Sequence, residues 1–597
     1  MNSKDSGITS TSGAIRYERN SEGIVTLTLD NPHGPVNVMD EPFEAALGAV
    51  VDRLHEEVDQ TSGVILASAK KSFLAGGDLN RLASYTAEHT EEQVESIDAV
   101  KRHFRALETL GIPVVSTING SALGGGLEFA LATHYRIAAD VKDSKIGLPE
   151  IGFGLLPGAG GLTRAVYMFG LKQALYKIVL PATRFTVAEA HELGLVDEVV
   201  DTIAELRPRA LEWIRKNPAP AKAWDLPGFE LPGGIYDADE LRRSLPEPLA
   251  DAALRPRFPA PAAAIIAAAE GAATGIDVAL HIESRYLIRV ATGQVTKNMI
   301  HALFFDSSAV SRGVKRPVGF APRRLVRVRL TGTGHSATLL RHALEKAGVE
   351  VRTGTSGSDD AQMSLTELPP RGMAGQKSRE RTISYQISIG NGAPDTASTQ
   401  LLLFSPVENF RLLQIVETPD SDQRAIGLAY DLADALNKQA ILTKNTPESF
   451  GERLINRLHS ESQALMSEGL TLEDLHQVVS AAGFSGESAV WLPTSPTDPQ
   501  AQNTALLSPC VASDAEDRLL FAAAITALKA VSEGNIGSTA EANIASFLAV
   551  GYPVWTGGAV RFATQYQDGT TGFRRRSNEL KHQHGERFDV GEVISDG

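Results

Sequence analysis

The chain reads as an α/β protein that turns helical towards its C-terminus, and three observations predict this. Between residues 24 and 200, short apolar strand-like runs alternate with helical segments, the pattern of right-handed β-α units. A second strand, glycine cluster and helix follow one another over residues 325–347. From residue 448 onward the periodicity is helical. At 597 residues the chain exceeds one hydrophobic core, and its length suggests roughly three or four domains.

Residues 1–13 are rich in Ser, Thr and Gly and are expected to be disordered. Ile24–Leu29 is a β-branched strand, closed by a turn over 30–35 that carries Pro32, Gly34 and Pro35. A helix is expected over 41–57, a buried strand over 63–68, an amphipathic helix over 92–110 and another strand over 112–118. Gly124-Gly125-Gly126 then leads into the helical run Leu127-Glu128-Phe129-Ala130-Leu131-Ala132. A glycine turn entering a helix presents free N–H groups at the positive end of the helix dipole, which suits a developing negative charge. Glu128 lies in the first turn, near the same spot. Glu150 follows Pro149 in a segment expected to be extended, and a second cluster, Gly158-Ala159-Gly160-Gly161, comes next. Taken singly, a glycine triplet is a tight turn and a first-turn Glu merely favours the dipole. The combination is more specific.

Residues 201–250 are rich in Pro and charge and are expected to wrap the surface. A long helical stretch is expected over 259–312. The Arg and Lys residues at 312, 315, 316, 323, 324, 327 and 329 read as a solvated basic linker.

The segments Asn119-Gly120-Ser121-Ala122-Leu123-Gly124-Gly125-Gly126-Leu127-Glu128, Gly147-Leu148-Pro149-Glu150 and Leu156-Pro157-Gly158-Ala159-Gly160-Gly161, with Phe73-Leu74-Ala75-Gly76-Gly77-Asp78-Leu79 upstream, resemble the crotonase (enoyl-CoA hydratase/isomerase) family. The resemblance implies a crotonase ββα spiral. It places the two backbone donors for a thioester oxygen on Gly77 and Gly125, and the two hydratase glutamates on Glu128 and Glu150. Substrate contacts fall on Ala75, Asp78, Gly124 and Pro149. Residues 35–39 match the segment near the CoA adenine, and residues 186–200 match the one that closes the core. The implied reaction is addition of water to a trans-2-enoyl-CoA in fatty-acid β-oxidation. By the family's usual scheme Glu150 is the acid, and Δ3-Δ2 isomerisation is a side activity. CoA enters as part of the substrate, and no cofactor is required.

The order of the remaining segments resembles the multifunctional fatty-acid oxidation subunits, in which a linker helix joins a crotonase half to a 3-hydroxyacyl-CoA dehydrogenase half. Thr331-Gly332-Thr333-Gly334-His335-Ser336-Ala337 follows a strand and matches GxGxxA, a dinucleotide-binding fingerprint. The acidic residue expected after the second strand is missing, with Thr355 near its place, and residues 354–398 are polar and turn-rich. The resemblance aligns Leu402 with the dehydrogenase histidine and Ser405 with the asparagine of its His-Phe-Phe-Asn-Pro motif. Gln414 stands for the glutamate that orients the histidine, and Lys444 for a later asparagine. A leucine cannot take a hydroxyl proton, so Gly332 and Gly334 are read as vestigial, arguing against dehydrogenation and NAD binding. Residues 448–485 and 514–567 resemble the two helical C-terminal domains, and the tail after Gln567 is expected to be mobile. The expected boundaries are a tail at 1–13, a crotonase domain at 14–205, and a helical extension with linker helix at 206–322. A reduced Rossmann-like domain follows at 323–440, then helical domains at 441–492 and 504–597.

Composition narrows the alternatives. Hydrophobic residues at 43% and charged residues at 22% are ordinary for a globular protein. A net charge of −15 argues against a general nucleic-acid binder. No apolar run of membrane length or signal-peptide core occurs, so a soluble, cytoplasmic protein is expected. Cys510 is the only cysteine, which excludes an intrachain disulfide, and the histidines lack metal-site spacing, so no metal is expected. The expected partners are an acyl-CoA, a thiolase subunit and further copies or a complex. Two rival readings remain: a bifunctional hydratase with NAD-dependent dehydrogenase, and a non-catalytic acyl-CoA-binding or assembly subunit.

Overall fold

Val- and Ile-rich runs occupy the middle of a sheet in the first of two compact units, Met1–Lys297 and Asn298–Gly597. The structure, a computed structural model, describes residues 8–247, 249–250, 257–332, 335–353, 361–367, 382–389, 399–404, 411–419, 421–486, 490–493 and 508–593.

In the first unit the elements are β1 (Ile8–Ser12), β2 (Ile15–Arg19), β3 (Ile24–Leu29), α1 (Glu41–Glu56), β4 (Gly63–Ser68), α2 (Leu79–Ser84), α3 (Thr90–Glu108), β5 (Val114–Ile118), β6 (Ala122–Leu123), α4 (Gly125–Leu131), β7 (Tyr135–Ala139), β8 (Ile146–Gly147), α5 (Gly161–Phe169), β9 (Glu198–Val200), α6 (Ile203–Lys216), α7 (Pro259–Ala272) and α8 (Ile276–Ala291). The main sheet runs β1-β2-β3-β4-β5-β7-β9. It is antiparallel through β1, β2 and β3 and parallel from β3 to β9. Every residue of β3 and β5 is buried, as expected where both faces of parallel strands are covered.

Three expectations are corrected here. The tail expected to be disordered begins the sheet at Ile8, because β1 pairs with β2 from Ile8↔Arg19 to Ser12↔Ile15. Residues 201–250 do more than wrap the surface. In α6, Leu206, Ala210 and Ile214 form a buried stripe against Ile65, Val115 and Ile137 of the sheet, at helical spacing. The stretch over 259–312 is several helices, broken where Thr274-Gly275 and Thr292-Gly293 interrupt it. α7 and α8 fold back on each other, with Gly271 facing Ala279.

A buried ion pair ties α3 to α5. The fully buried Arg164 donates from Nε to Glu108 Oε1 at 2.7 Å and from Nη2 to Oε2 at 3.1 Å. Burial disfavours the Glu108 carboxylate, but the charge and hydrogen bonds of Arg164 hold its pKa below the usual range.

The second unit contains β10 (Arg327–Thr331), α9 (His335–Lys346), β11 (Glu350–Thr353), β12 (Met363–Glu367), β13 (Thr382–Ile389), β14 (Gln400–Phe404), β15 (Leu412–Glu417), α10 (Gln423–Ala435), β16 (Gln439–Lys444), α11 (Phe450–Ser467), α12 (Leu472–Ala482), α13 (Pro509–Ser532), α14 (Thr539–Val550), α15 (Ala559–Thr564) and α16 (Gly569–His584). Its sheet runs β11-β10-β12-β13-β14-β15-β16. β10 is parallel to β11 and β12, as in a dinucleotide-binding fold. β13 then runs antiparallel to both its neighbours, so β12 and β13 lie within the stretch expected to be merely turn-rich. Gly332 follows β10, whereas Gly334, Thr355 and Ser405 lie outside the described residues.

The tail after Gln567 is also corrected: it forms α16, whose Phe573 is fully buried and stacks on Phe521 at 4.4 Å. Two of its apolar residues, Phe573 and Leu580, lie seven apart, a stripe too thin to stand out among arginines. The basic linker is not wholly solvated either. Arg316 donates to Asp431 at 2.7 Å and Asp434 at 3.0 Å, and Arg329 is buried.

Replacing Glu108 with Gln leaves Arg164 buried without a counter-charge, at a cost of about 3–5 kcal/mol. Denaturant unfolding checks this. The difference from wild type is complete above the unfolded carboxyl pKa of about 4.3 and shrinks as pH falls through the lowered native pKa.

Candidate active site

Three loops of the first unit meet because short backbone ladders stitch them together. Asn37 is buried and satisfies the junction. Its Nδ2 donates to Ser68 Oγ at 2.9 Å and to the Phe73 carbonyl at 3.0 Å, and its Oδ1 accepts from Asn31 N at 2.9 Å. Met39 N donates to the Gly76 carbonyl at 2.9 Å, which fixes the 73–78 loop against residues 37–39. Phe73 N donates to the Ser121 carbonyl at 3.0 Å, and a bridge joins Leu74 to Ala122. The loop leading to α4 therefore lies beside the first. β6 pairs in parallel with β8, Ala122↔Ile146 and Leu123↔Gly147, and Gly124 N donates to the Gly147 carbonyl at 2.9 Å. Pro149 and Glu150 are thereby delivered to Gly124.

Glycine is required here by contact. Gly124 has φ +53°, and a Cβ on it would stand 2.5 Å from Glu150 Oε1. A Cβ on Gly125 would stand 3.3 Å from Gly77 N, so the two loops meet through bare backbone. Neither the Gly77 nor the Gly125 N–H donates to another group among the described residues. A pair of uncommitted donors on facing loops suits an oxyanion. Ala75 is exposed at this edge, and its N–H donates to the Asn37 carbonyl at 2.9 Å. The Asp78 carboxylate is committed to capping α2, accepting from Asn80 N at 2.9 Å.

Glu128, in the first turn of α4, is 3% exposed. Its Oε1 accepts from Ala159 N at 2.7 Å and Gly161 N at 2.8 Å, so the second glycine cluster holds the first glutamate. A Cβ on Gly161 would stand 2.8 Å from Glu128 Oε1. Glu150 opens a single tight turn, Glu150–Phe153, instead of the expected extended segment. Its Oε2 is buried without a hydrogen-bond partner. Burial first, and then the Glu128 charge, push the Glu150 pKa well above the usual carboxylate range. Burial and the charge of Glu283 push Glu128 up to about 7, opposed by the Gly161 and Ala159 N–H groups.

Glu283 and Lys101 are the residues that sequence reasoning missed. Glu283 comes from α8, more than a hundred residues after Glu150, and sits on the buried stripe Ile276, Ala279, Leu280, Leu287. A carboxylate on an apolar helical stripe is the signal that marks it, though not its destination. Among the described residues, no group of three or more His, Cys, Asp or Glu side chains could hold a metal, and no helix is long and apolar enough to cross a membrane.

Residues 19–223 match the enoyl-CoA hydratase/isomerase family. The first unit carries a domain of that family. The likeness of the chain to known proteins extends further than this domain. It is 24% identical over 540 residues to the fatty acid oxidation complex subunit alpha of Idiomarina loihiensis, covering 79% of this chain and 74% of that one. The subunit of the same name from Shewanella amazonensis is 26% identical over 536 residues, covering 78% and 74%. That of Shewanella loihica is 30% identical over 307 residues, covering 50% and 42%. The enoyl-CoA hydratase/isomerase domain is thus one part of a chain that resembles a fused subunit along most of its length.

Gly124→Ala should reduce turnover roughly 100-fold, because a misplacement near 1 Å at the reacting groups costs about that much. Steady-state kinetics beside an unchanged circular dichroism spectrum would show it. A fully active variant would remove Gly124 from the site.

Proposed function

We propose that this chain is an enoyl-CoA hydratase that adds water to trans-2-enoyl-CoA thioesters in β-oxidation. The observation that carries the proposal is the juxtaposition of two buried carboxylates of unequal basicity with the free N–H groups of Gly77 and Gly125. The thioester oxygen accepts from those two donors, and the bonds strengthen as enolate charge develops, so they lower the barrier rather than only tightening binding. Glu128, the more readily ionised carboxyl, takes a proton from water as its oxygen attacks C3. Glu150, which keeps its proton, delivers it to C2. The product is 3-hydroxyacyl-CoA, and transfer of a proton from Glu128 to Glu150 restores the site. When Glu150 is ionised, its carboxylate takes a proton from C4 of a 3-enoyl-CoA and returns it to C2, which gives Δ3-Δ2 isomerisation as a side activity.

The second unit supports a dehydrogenase-like fold without the dehydrogenase chemistry. In the β14–β15 register Leu402 lies opposite Gln414, the pairing the resemblance assigns to a histidine and its orienting glutamate. Gln414 Nε2 donates instead to Thr443 Oγ1 at 2.8 Å, and its Oε1 accepts from Gly451 N at 3.3 Å. A buried amide in these bonds has no role for a base to orient. NAD is not needed for the proposed reaction. The relatives' name, a subunit of a complex, supports a partner subunit, and a thiolase fits the resemblance.

Purified protein should hydrate crotonyl-CoA, and Glu128→Gln and Glu150→Gln should each lose roughly 10²–10⁴-fold in kcat. No NADH should appear when NAD is added. The pH profile of kcat/KM should rise through about 7 as Glu128 ionises and fall at higher pH as Glu150 loses its proton. A wild type inactive on short and long enoyl-CoAs would favour the binding role, and NADH formation would restore the bifunctional reading.

A further inference from the structure

The turn over residues 159–163 serves two carboxylates at once. Its N–H groups alternate: Ala159 and Gly161 donate to Glu128, while Gly160 donates to Glu283 Oε1 at 2.7 Å and Thr163 to Glu283 Oε2 at 2.8 Å. The Thr163 hydroxyl adds a third bond to Glu283 Oε2 at 2.7 Å. Lys101 Nζ, reaching across from α3, lies 2.8 Å from Glu283 Oε1 and donates to the Leu280 carbonyl at 2.6 Å. Glu283 and Lys101 are each at most 3% exposed. Leu280 and Leu287, one turn either side of Glu283, pack on Gly160 and Gly158. α8 is therefore clamped onto the turn by apolar and polar contacts together.

We propose that Glu283, neutralised by Lys101, is a positioning residue for the hydration: it holds the 159–163 turn in the one shape that presents alternate N–H groups to Glu128. This rests on the hydratase reading of Glu128. Two anions on adjacent N–H groups of one turn repel each other, and the Lys101 ammonium offsets that repulsion. Without Glu283, the Gly160 and Thr163 donors lose their buried acceptor, and the turn is free to rotate its N–H groups away from Glu128.

The charged groups around the pair are few. From α4 comes Glu128, from the turn after β8 comes Glu150, and from α3 comes Lys101. Arg164, on α5, donates from Nη1 to the Ala159 carbonyl of the turn at 3.4 Å and is held by Glu108. Asp98 of α3 accepts from Ser284 and pairs with His281, fastening α8 one turn away. The charge of Glu283 raises the Glu128 pKa and that of Lys101 lowers it, so the two partners act on Glu128 with opposite sign.

The test is the pH profile of crotonyl-CoA hydration by the full chain in wild type, Glu283→Gln, Lys101→Met and Lys101→Arg, beside Glu128→Gln. Glu283→Gln should lower kcat more than it changes KM and move the acid limb of kcat/KM to higher pH, because Glu128 loses the Ala159 and Gly161 N–H groups that lower its pKa. A limb moved to lower pH is the effect of the lost charge alone and overturns the positioning role. Lys101→Met should move that limb to higher pH, and Lys101→Arg should restore it. Shifts of about one pH unit are expected for one buried neighbouring charge. Equal losses with an unmoved acid limb would mean a merely structural role and overturn the proposal, and so would full activity in Glu283→Gln. If Glu283→Gln does not fold, Lys101→Met and Lys101→Arg still decide by the sign of the shift. A wild type that does not hydrate crotonyl-CoA sinks the hydratase reading and this inference with it, whereas an active wild type with unshifted variants sinks only the inference.

Discussion

The first unit depends on one constraint: a carboxylate buried at Glu128 must find its hydrogen bonds in backbone. An ionised group taken out of water is tolerated only where donors replace the solvent. The N–H groups of Ala159 and Gly161 do this for Glu128. Gly161 opens α5, where N–H groups have no helical acceptor, and Ala159 lies in the loop just before its cap. The glycines follow from the same constraint, since a Cβ on Gly161 would meet the carboxylate it serves. Burial that is satisfied only in part raises both carboxyl pKa values, Glu128 to about 7 and Glu150 well above the usual range.

The remaining loops are held by backbone rather than by side chains. The bridges from Met39 to Gly77 and from Leu74 to Ala122, and the short β6–β8 ladder, place three distant segments within van der Waals contact. Backbone ladders position atoms with less conformational freedom than side chains, which suits donors that must meet one oxygen. Gly126 belongs to the same design, because a Cβ there would collide with the Leu74 carbonyl.

The second unit separates fold from chemistry. Its sheet keeps the strand that carries the glycine fingerprint and the parallel pairs on either side of it, yet β13 and β14 run antiparallel. The helical elements that follow it are tightly packed around Trp491, Phe521 and Phe573. A scaffold with a large apolar core is maintained by packing alone, and the residues needed for proton transfer contribute nothing to it.

The α/β class, the strands at 24–29 and 63–68 and the helix that carries Glu128 were all legible in the chain. Each depends on local periodicity or on a run of glycines, and such signals act over a few residues. The structure of the α16 segment was not legible, since Phe573 and Leu580 mean little until Phe521 and its neighbours pack on them. Nor was the tight turn at Glu150, or the sheet-facing stripe of α6. The role of Glu283 belongs wholly to the tertiary structure. In sequence it is an acid on the buried stripe of an amphipathic helix, more than a hundred residues from the turn it holds. Only the folding of α8 onto α3 and α5 brings its carboxylate to Gly160, Thr163 and Lys101, because long-range hydrogen bonds are set by packing and leave no periodic trace in the chain.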